Sequence, residues 1–210
     1  SKLQNYSITN FFYFLLKYSK LFLFYHNVVR KYRMKKILIT GASSGIGKEL
    51  AINLTDKTDE LFLLARSIDK LELLKKDLEE KNPSLKCECI KYDLSDIENL
   101  DKIIENYDID LLINCAGFGK ITDFSKLSDK EDLDTINVNF ISPMLLTKKY
   151  SEKFLQKGQG IILNVCSTAA LYQHPYMAIY SSVKSALLHY SLALDEELSY
   201  KNKNVRVLSV

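Results

Sequence analysis

From residue 34 onward, short apolar runs alternate along the chain with longer amphipathic stretches. Apolar runs of this kind predict buried strands, and apolar residues three or four positions apart predict helices. The predicted strands span residues 36–40, 61–65, 87–92, 109–114, 160–166 and 205–210. The predicted helices span about 45–56, 68–81, 96–106, 129–156 and 177–200. Alternation of strands with helices predicts an α/β domain in which helices cover both faces of a doubly wound parallel sheet.

Prolines mark two of the predicted helices. Asn82-Pro83 follows the stretch 68–81 and is expected to end it. The stretch 129–156 contains Pro143, which lacks a backbone N–H, so we expect a bend there or the start of a separate segment. The chain contains no internal repeat and no second domain.

The first 33 residues differ in character from the rest and are treated as a separate extension. They hold ten of the 23 aromatic residues, with six Lys or Arg and no acid. Lys17 and Lys20 lie near the middle of the apolar part, which disfavours a spanning helix, and no small-residue site follows that would suit a secretory signal. Three interpretations stay open: a membrane-surface helix, a packing arm, or sequence upstream of a true start at Met34. A membrane-surface helix would make the protein a peripheral membrane protein.

Composition fits one globular domain over residues 34–210. The chain has 210 residues, 47% hydrophobic and 26% charged, enough for a sizeable core. The formal charge of +3 comes from the extension, because residues 34–210 hold 23 basic and 26 acidic residues. This balance gives no indication of nucleic-acid binding.

Cysteine and histidine spacing predicts no metal site. The cysteines lie within apolar segments, which indicates reduced core residues of a cytoplasmic protein. They are Cys87, Cys89, Cys115 and Cys166. The three histidines form no ligand set either: His26, His174 and His189.

A glycine-rich turn connects the first predicted strand to the first predicted helix. It reads Thr40-Gly41-Ala42-Ser43-Ser44-Gly45-Ile46-Gly47. Glycines let a backbone turn tightly and approach a pyrophosphate, while a helix N-terminus offers free N–H groups to the anion. A phosphate-loop NTPase would need Ser or Thr after Lys48, where this chain has Glu49. The turn therefore favours a dinucleotide site and a Rossmann-type sheet.

Tyr180 and Lys184 form a candidate pair for proton transfer. On a helix their spacing places the phenol and the ammonium on one face. A phenol titrates near ~10, and a fixed ammonium beside it favours the phenolate. The alternative is an ordinary pair on a helix surface.

Together these features resemble the classical short-chain dehydrogenase/reductase family over residues 36–210. The turn from Thr40 to Gly47 is similar to the family's cofactor turn, and Asp93-Leu94 to its adenine contact. Asn114-Cys115-Ala116-Gly117 resembles its Asn-Asn-Ala-Gly element, with Cys115 in place of the second Asn. Asn139 matches the family's helix asparagine, and Ser167 lies thirteen residues before Tyr180, the family's serine spacing.

The resemblance implies hydride transfer between a nicotinamide and a carbonyl or secondary alcohol. Tyr180 would exchange the proton, Ser167 would hold the substrate oxygen, Lys184 would assist Tyr180 and bind the nicotinamide ribose, and Asn139 would hold a relay water through its main chain. For Ser167 the alternative is a turn residue at a strand end, and for Asn139 a helix kink. The implied cofactor-binding set comprises Thr40, Gly41, Ser43, Ser44, Gly45, Ile46, Gly47, Arg66, Asp93, Leu94, Asn114, Ala116, Gly117, Tyr180 and Lys184.

Cofactor choice is predicted from Ala65-Arg66-Ser67 at the end of the second strand. NAD enzymes usually carry an acid there for the ribose 2′-hydroxyl, whereas a 2′-phosphate needs a cation. Arg66 supplies the cation and no acid opposes it, so NADP is predicted over NAD. Ser44 counts against this, because some NADP-using relatives have a basic residue there. A solvated surface arginine is the alternative for Arg66.

The resemblance also sets expectations for the substrate and the assembly. The segment His174-Pro175-Tyr176 is expected at the substrate entrance, with Phe118, Leu171 and Tyr172 as apolar walls, or else as an exposed loop. A hydrophobic ketone or 3-oxoacyl chain would suit it. Homo-oligomers are expected to form through residues 129–156 and 177–200. The family continues beyond a sixth strand, so a fragment ending at Val210 is expected, with a non-catalytic NADP-binding protein as the rival function.

Overall fold

The computed structural model describes residues 34–210, which fold around one six-stranded sheet. The strands are β1 (Lys36–Thr40), β2 (Glu60–Ala65), β3 (Lys86–Lys91), β4 (Leu111–Asn114), β5 (Gly160–Asn164) and β6 (Val205–Ser209). Their order in the sheet is β3-β2-β1-β4-β5-β6, and every neighbouring pair is parallel. The predicted doubly wound parallel sheet is confirmed.

Helices connect the strands in the predicted order. They are α1 (Gly45–Leu54), α2 (Ile68–Lys81), α3 (Asp101–Asn106), α4 (Asp129–Ile136), α5 (Ser142–Lys157) and α6 (Ala178–Lys201). A π-helical segment, Asn137–Ile141, joins α4 to α5. Single 3₁₀ turns are formed by Phe124–Lys126 and Thr168–Ala170.

Two hydrophobic cores lie on the two faces of the sheet. Along β1, Ile37 and Ile39 pack into the core formed with α1 and α2. Leu38, between them, packs into the core formed with α3, α5 and the end of α6. Side chains alternate across a strand, and both faces of the inner strands β1, β2, β4 and β5 are covered, so these strands are almost continuous apolar runs. In the outer strands β3 and β6 buried and exposed positions are mixed.

The structure corrects two predicted helices. The stretch 129–156 changes geometry at Asn137 and not at Pro143, which lies in the first turn of α5, where a missing N–H is tolerated. The expected separate segment is present, because α5 begins at Ser142 with Pro143 in its first turn, but the π-helical segment before it was not predicted. The predicted helix 96–106 begins only at Asp101, because the Asp96 carboxylate accepts hydrogen bonds from the backbone N–H groups of Glu98 and Asn99 and holds a turn.

Within residues 34–210, no helix combines the length and apolar character needed to cross a bilayer. The interpretations proposed for residues 1–33, including membrane association, lie outside the described residues. The four cysteines are free thiols. Cys87 is buried in a core and Cys89 and Cys115 pack against one, but Cys166 belongs to neither core, so the prediction of four core thiols is only partly correct.

Candidate active site

A groove of about 460 Å³ opens at the carboxyl ends of β1, β2, β3 and β4. The sheet order reverses direction between β1 and β4, and such a switch point is where open α/β sheets bind ligands. Most of the predicted cofactor residues line this groove: Gly41, Ser43, Ser44, Gly45, Ile46, Gly47, Arg66, Asp93, Leu94, Ala116 and Gly117.

The glycine turn is held tightly against the turn that follows β4. Gly41 has φ +70, and a Cβ built on it would lie 2.7 Å from Ala116 Cα. Thr40 is buried, and its Oγ1 accepts hydrogen bonds from the backbone N–H groups of Cys115 and Ala116, both at 3.1 Å. Thr40 therefore shapes the groove from behind and does not lie on its wall. Gly45 differs, because its φ is +54 but a Cβ would meet nothing within 4 Å.

Asn114 also lies behind the groove. Its side chain is buried, and its Nδ2 donates to Asn164 Oδ1 at 2.8 Å and to Thr147 Oγ1 at 3.2 Å. These bonds join the ends of β4 and β5 to α5. Asn114 thus fixes the strand ends that carry the turns of the site.

Arg66 and Asp93 meet at one end of the groove. The Arg66 guanidinium lies 3.9 Å from Asp93 Oδ2, with both side chains substantially exposed. The Asp93 carboxylate also accepts hydrogen bonds from Ser95 N and Oγ. The expectation that no acid opposes Arg66 is wrong, because the parallel pairing of β2 with β3 brings Asp93 beside it.

Some groove residues were not predicted as cofactor contacts. Lys70, Tyr92 and Val138 line the same groove. Lys70 follows Arg66 by four residues at the start of α2, so its position could have been inferred from the predicted helix. Tyr92 and Val138 carry no such signal, since their position depends on how distant elements pack.

Tyr180 and Lys184 lie in the first two turns of α6, as predicted. Lys184 is only 4% exposed, its Nζ donates to Val165 O at 3.0 Å, and it lies 5.9 Å from the centroid of the Tyr180 ring. Burial lowers the pKa of Lys184 from its usual value. Tyr180 itself is partly exposed and lines a second cavity.

Two thiols interact electrostatically with the Lys184 ammonium. Burial raises the pKa of Cys115 to about 12 and the pKa of Cys166 to about 11. Both thiols are therefore neutral at neutral pH and do not form an ion pair with the lysine. Across residues 34–210, no cluster of three or more His, Cys, Asp or Glu side chains is arranged to hold a metal ion.

Two glycines let the loop after β4 pass close to Tyr180 and Lys184. A Cβ on Gly119 would lie 2.7 Å from Tyr180 Cδ2. A Cβ on Gly117 would lie 2.7 Å from Asn139 Oδ1 and 3.4 Å from Lys184 Nζ. The importance of Gly119 was missed, because nothing in the local sequence shows that a ring on α6 packs against it.

Asn139 is fully buried within the π-helical segment. Its Nδ2 donates to Phe118 O at 2.8 Å and to Thr135 O at 3.0 Å, which ties the loop after β4 to α4. Among the described residues, its Oδ1 has no hydrogen-bond partner. That oxygen and Lys184 Nζ both border the space beside Gly117.

Ser167 caps the 3₁₀ turn that follows β5. Its Oγ accepts a hydrogen bond from Ala169 N at 3.1 Å. The turn is fastened to α6, because Ser185 Oγ donates to Ala170 O at 2.7 Å. Ser167 is thus a turn residue, and the turn is fixed to the helix that carries Tyr180.

The second cavity, of about 610 Å³, lies next to the groove, and Arg66 and Phe118 line both. Tyr180 lines its wall together with apolar side chains that include Phe124, Leu127, Tyr176, Met177 and Ile179. Charged side chains line the same cavity: Arg66, Lys120, Asp123, Glu131, Asp132 and Asp134. Phe118 and Tyr176, which were expected at the substrate entrance, line this cavity. His174, Leu171 and Tyr172 do not line the cavity and are exposed, so for them the exposed-loop alternative is correct.

Comparison with known proteins identifies the family. The model of the short chain dehydrogenase family matches residues 35–210. The chain belongs to the short-chain dehydrogenase family.

Two relatives with named activities illustrate the similarity. A very-long-chain 3-oxoacyl-CoA reductase of Coccidioides immitis (strain RS) is 33% identical over 178 residues, covering 81% of this chain and 51% of the reductase. An NADP-dependent 3-hydroxy acid dehydrogenase of Schizosaccharomyces pombe is 35% identical over 183 residues, covering 84% of this chain and 70% of that enzyme.

Among solved structures, a short-chain dehydrogenase from Sphingobium yanoikuyae in complex with NADPH superimposes with a TM-score of 0.78 at 28% identity. The match covers 83% of this short-chain dehydrogenase and 69% of that one. The chain spans about half the length of the 3-oxoacyl-CoA reductase of Coccidioides immitis that it matches.

Proposed function

We propose that this short-chain dehydrogenase transfers a hydride between NADP(H) and a carbonyl or secondary alcohol, with Tyr180 as general acid or base. The observation that carries the proposal is the position of Tyr180 in the wall of a cavity that adjoins the dinucleotide groove, beside the buried ammonium of Lys184. A proton donor, a cation and a nucleotide groove thus meet at one place.

The groove suits a dinucleotide with a 2′-phosphate. Gly41 leaves no room for a side chain between the first turn and Ala116, and the exposed cation of Arg66 lies at one end. A bound NADPH supplies the hydride for reduction. The relatives support NADP, because one is named NADP-dependent and another was solved with NADPH.

Proton transfer falls to Tyr180. As hydride reaches a carbonyl carbon, negative charge develops on the oxygen, and a proton from a phenol neutralises it. The Lys184 ammonium stabilises the phenolate left behind. Because Lys184 Nζ is held by Val165 O, its position relative to Tyr180 is fixed before substrate binds.

Ser167 and Asn139 complete the proposed machinery. Ser167 Oγ accepts its hydrogen bond from Ala169 N, which leaves the hydroxyl proton for the substrate oxygen. Asn139 Oδ1 borders the space next to Lys184 Nζ and suits a water-mediated link that returns a proton to Tyr180. The predicted link ran through the Asn139 main chain, whereas the unpartnered acceptor is its side-chain oxygen.

The substrate class follows from the cavity wall. Apolar side chains of Phe118, Phe124, Leu127 and Ile179 line the same cavity as Tyr180 and favour a hydrophobic ketone or a 3-oxoacyl chain. The names of the 3-oxoacyl-CoA reductases agree with the second class. Association of two copies through residues 129–156 and 177–200 and a cytoplasmic location remain predictions.

A pair of tyrosine variants tests the proposal. Tyr180→Phe removes the phenol and is expected to lower turnover of a 3-oxoacyl thioester by about 10² to 10⁴ with the NADPH dissociation constant unchanged. Tyr176→Phe is the matched control, because Tyr176 lines the same cavity but lies on its exposed rim, and it is expected to keep full turnover. Retained activity in Tyr180→Phe would contradict the assignment. NADPH binding without turnover of ketones or 3-oxoacyl thioesters would favour the non-catalytic alternative.

A further inference from the structure

Tyr176 has an unusual backbone conformation at the rim of the second cavity. Its φ is +66, and among residues 34–210 it is the one residue other than glycine with a positive φ. A bulky side chain is strained in this left-handed region, whereas glycine is not. Hydrogen bonds hold the turn, because Tyr176 O accepts from Thr122 N at 3.0 Å and His174 O accepts from Met177 N at 3.2 Å. The surrounding backbone therefore fixes the strained conformation.

Contacts of the Tyr176 side chain within the described residues do not offset this strain. The side chain is 64% exposed and belongs to neither hydrophobic core. No ring of residues 34–210 pairs with it, and its hydroxyl has no hydrogen-bond partner there. Glycine would form the same turn without strain, so the fold does not require a tyrosine. Strained residues cluster where a protein binds ligands, and a ligand contact would explain this one.

The Tyr176 ring shares its cavity with two other rings besides that of Tyr180. Phe118 comes from the loop after β4, and Phe124 comes from the following 3₁₀ turn and is 82% exposed. Among the described residues, these rings form no pairs with one another. Aromatic rings pack favourably in offset or edge-to-face contacts. A cavity of about 610 Å³ between unpaired rings therefore suits an aromatic group of a ligand.

We infer that Tyr176 is a specificity-determining residue whose ring packs against an aromatic group of the substrate. The preferred substrate is then a carbonyl compound or secondary alcohol with an aromatic ring next to the reacting carbon. This inference rests on the proposed function, because the same molecule must reach Tyr180. Among the hydrophobic ketones and 3-oxoacyl chains proposed above, it selects those that carry an aromatic ring.

The test compares two ketones that differ only in their ring, propiophenone and ethyl cyclohexyl ketone, reduced with NADPH by the full 210-residue chain. Tyr176→Gly is expected to lower kcat/KM for propiophenone, relative to ethyl cyclohexyl ketone, by about two- to tenfold. The loss should appear in KM, because Tyr180 remains in place for the chemical step. The midpoint of urea unfolding is expected to rise, since glycine is unstrained at φ +66.

Three further variants separate the ring from the backbone. Tyr176→Asn tolerates the left-handed region but lacks the ring, so it should lose the same preference as Tyr176→Gly. Tyr176→Phe keeps the ring and should keep the preference. Tyr172→Ala is the matched control, because Tyr172 is a 68% exposed tyrosine nearby in the chain that does not line the cavity. Its ratio of kcat/KM for the two ketones is expected to equal that of wild type.

The outcomes distinguish the inference from the proposed function. An unchanged ratio in Tyr176→Gly and Tyr176→Asn would overturn the inference and leave the proposed function standing. Reduction of a 3-oxoacyl thioester but of neither ketone by wild type would do the same. An equal loss of kcat for both ketones would show that Tyr176 positions Tyr180 and does not select the substrate. NADPH binding by wild type without turnover of any of these compounds would remove the proposed function as well.

Discussion

Gly119→Ala tests whether the close packing of the loop after β4 positions Tyr180. Gly119 is exposed, and its φ lies outside the left-handed region, so an alanine backbone is tolerated there. The new Cβ, however, would lie 2.7 to 3.2 Å from three ring carbons of Tyr180. Because carbon atoms normally pack about 3.5 to 4.0 Å apart, the ring must move by roughly 1 Å.

A displacement of this size has a large expected effect on chemistry. Misplacing a reacting group by about 1 Å costs about 10²-fold in rate. We therefore expect Gly119→Ala to lower kcat about 100-fold, measured by NADPH oxidation with a 3-oxoacyl thioester. The dissociation constant for NADPH is expected to stay unchanged, because Gly119 does not line the dinucleotide groove.

Gly158→Ala is the control for the general effect of replacing glycine. Gly158 ends α5 with φ +82, and a Cβ there would meet nothing within 4 Å. Alanine in this conformation costs about 1 to 2 kcal/mol of stability and should leave kcat intact. The two variants thus separate stability from turnover. Full turnover in Gly119→Ala, or a loss of NADPH affinity equal to its loss of turnover, would refute the reasoning.

Two further predictions concern the turns around the site. Gly41→Ala combines φ +70 with a Cβ only 2.7 Å from Ala116 Cα, so it should lower the free energy of unfolding by about 2 to 5 kcal/mol. Gly45→Ala has φ +54 but open space around its Cβ, so it should lower that free energy by only about 1 to 2 kcal/mol. Equal losses for the two variants in urea unfolding would contradict this. The hydrogen bond from Lys120, and after it those from Ser128, lower the pKa of Glu131 from 4.5 to about 2. The contribution of Glu131 to folding stability is therefore complete above its unfolded pKa and is lost as pH falls through its folded pKa. Glu131→Gln should therefore make stability fall less steeply with acidification between pH 4.5 and 2, and an unchanged slope would contradict the assignment.

The features that could be predicted from the sequence are those that depend on residues close together along the chain. The inner strands β1, β2, β4 and β5 are almost continuous apolar runs, and they alternate along the chain with amphipathic helices, so the parallel sheet could be predicted from the hydrophobic pattern. The spacing of Tyr180 and Lys184 places them together on any helix. The glycine turn was recognisable because Gly41 stands directly after an apolar strand.

Other features depend on contacts between distant segments. The pairing of β2 with β3 brings Asp93 close to Arg66, and the sequence around Arg66 does not predict this contact. The change of geometry at Asn137 could not be predicted, because the only local signal was Pro143, which a helix tolerates in its first turn. The need for Gly119 arises only when α6 packs its tyrosine ring against the loop.

The central claim is that this chain moves a hydride from NADPH to a carbonyl carbon with a proton from Tyr180. It is tested most directly with NADPH in which both hydrogens at nicotinamide C4 are deuterium, and a 3-oxoacyl thioester. The account predicts an alcohol product with deuterium on its carbinol carbon, formed by wild type and almost absent with Tyr180→Phe. An alcohol without deuterium, or labelled alcohol formed equally by Tyr180→Phe, would contradict it.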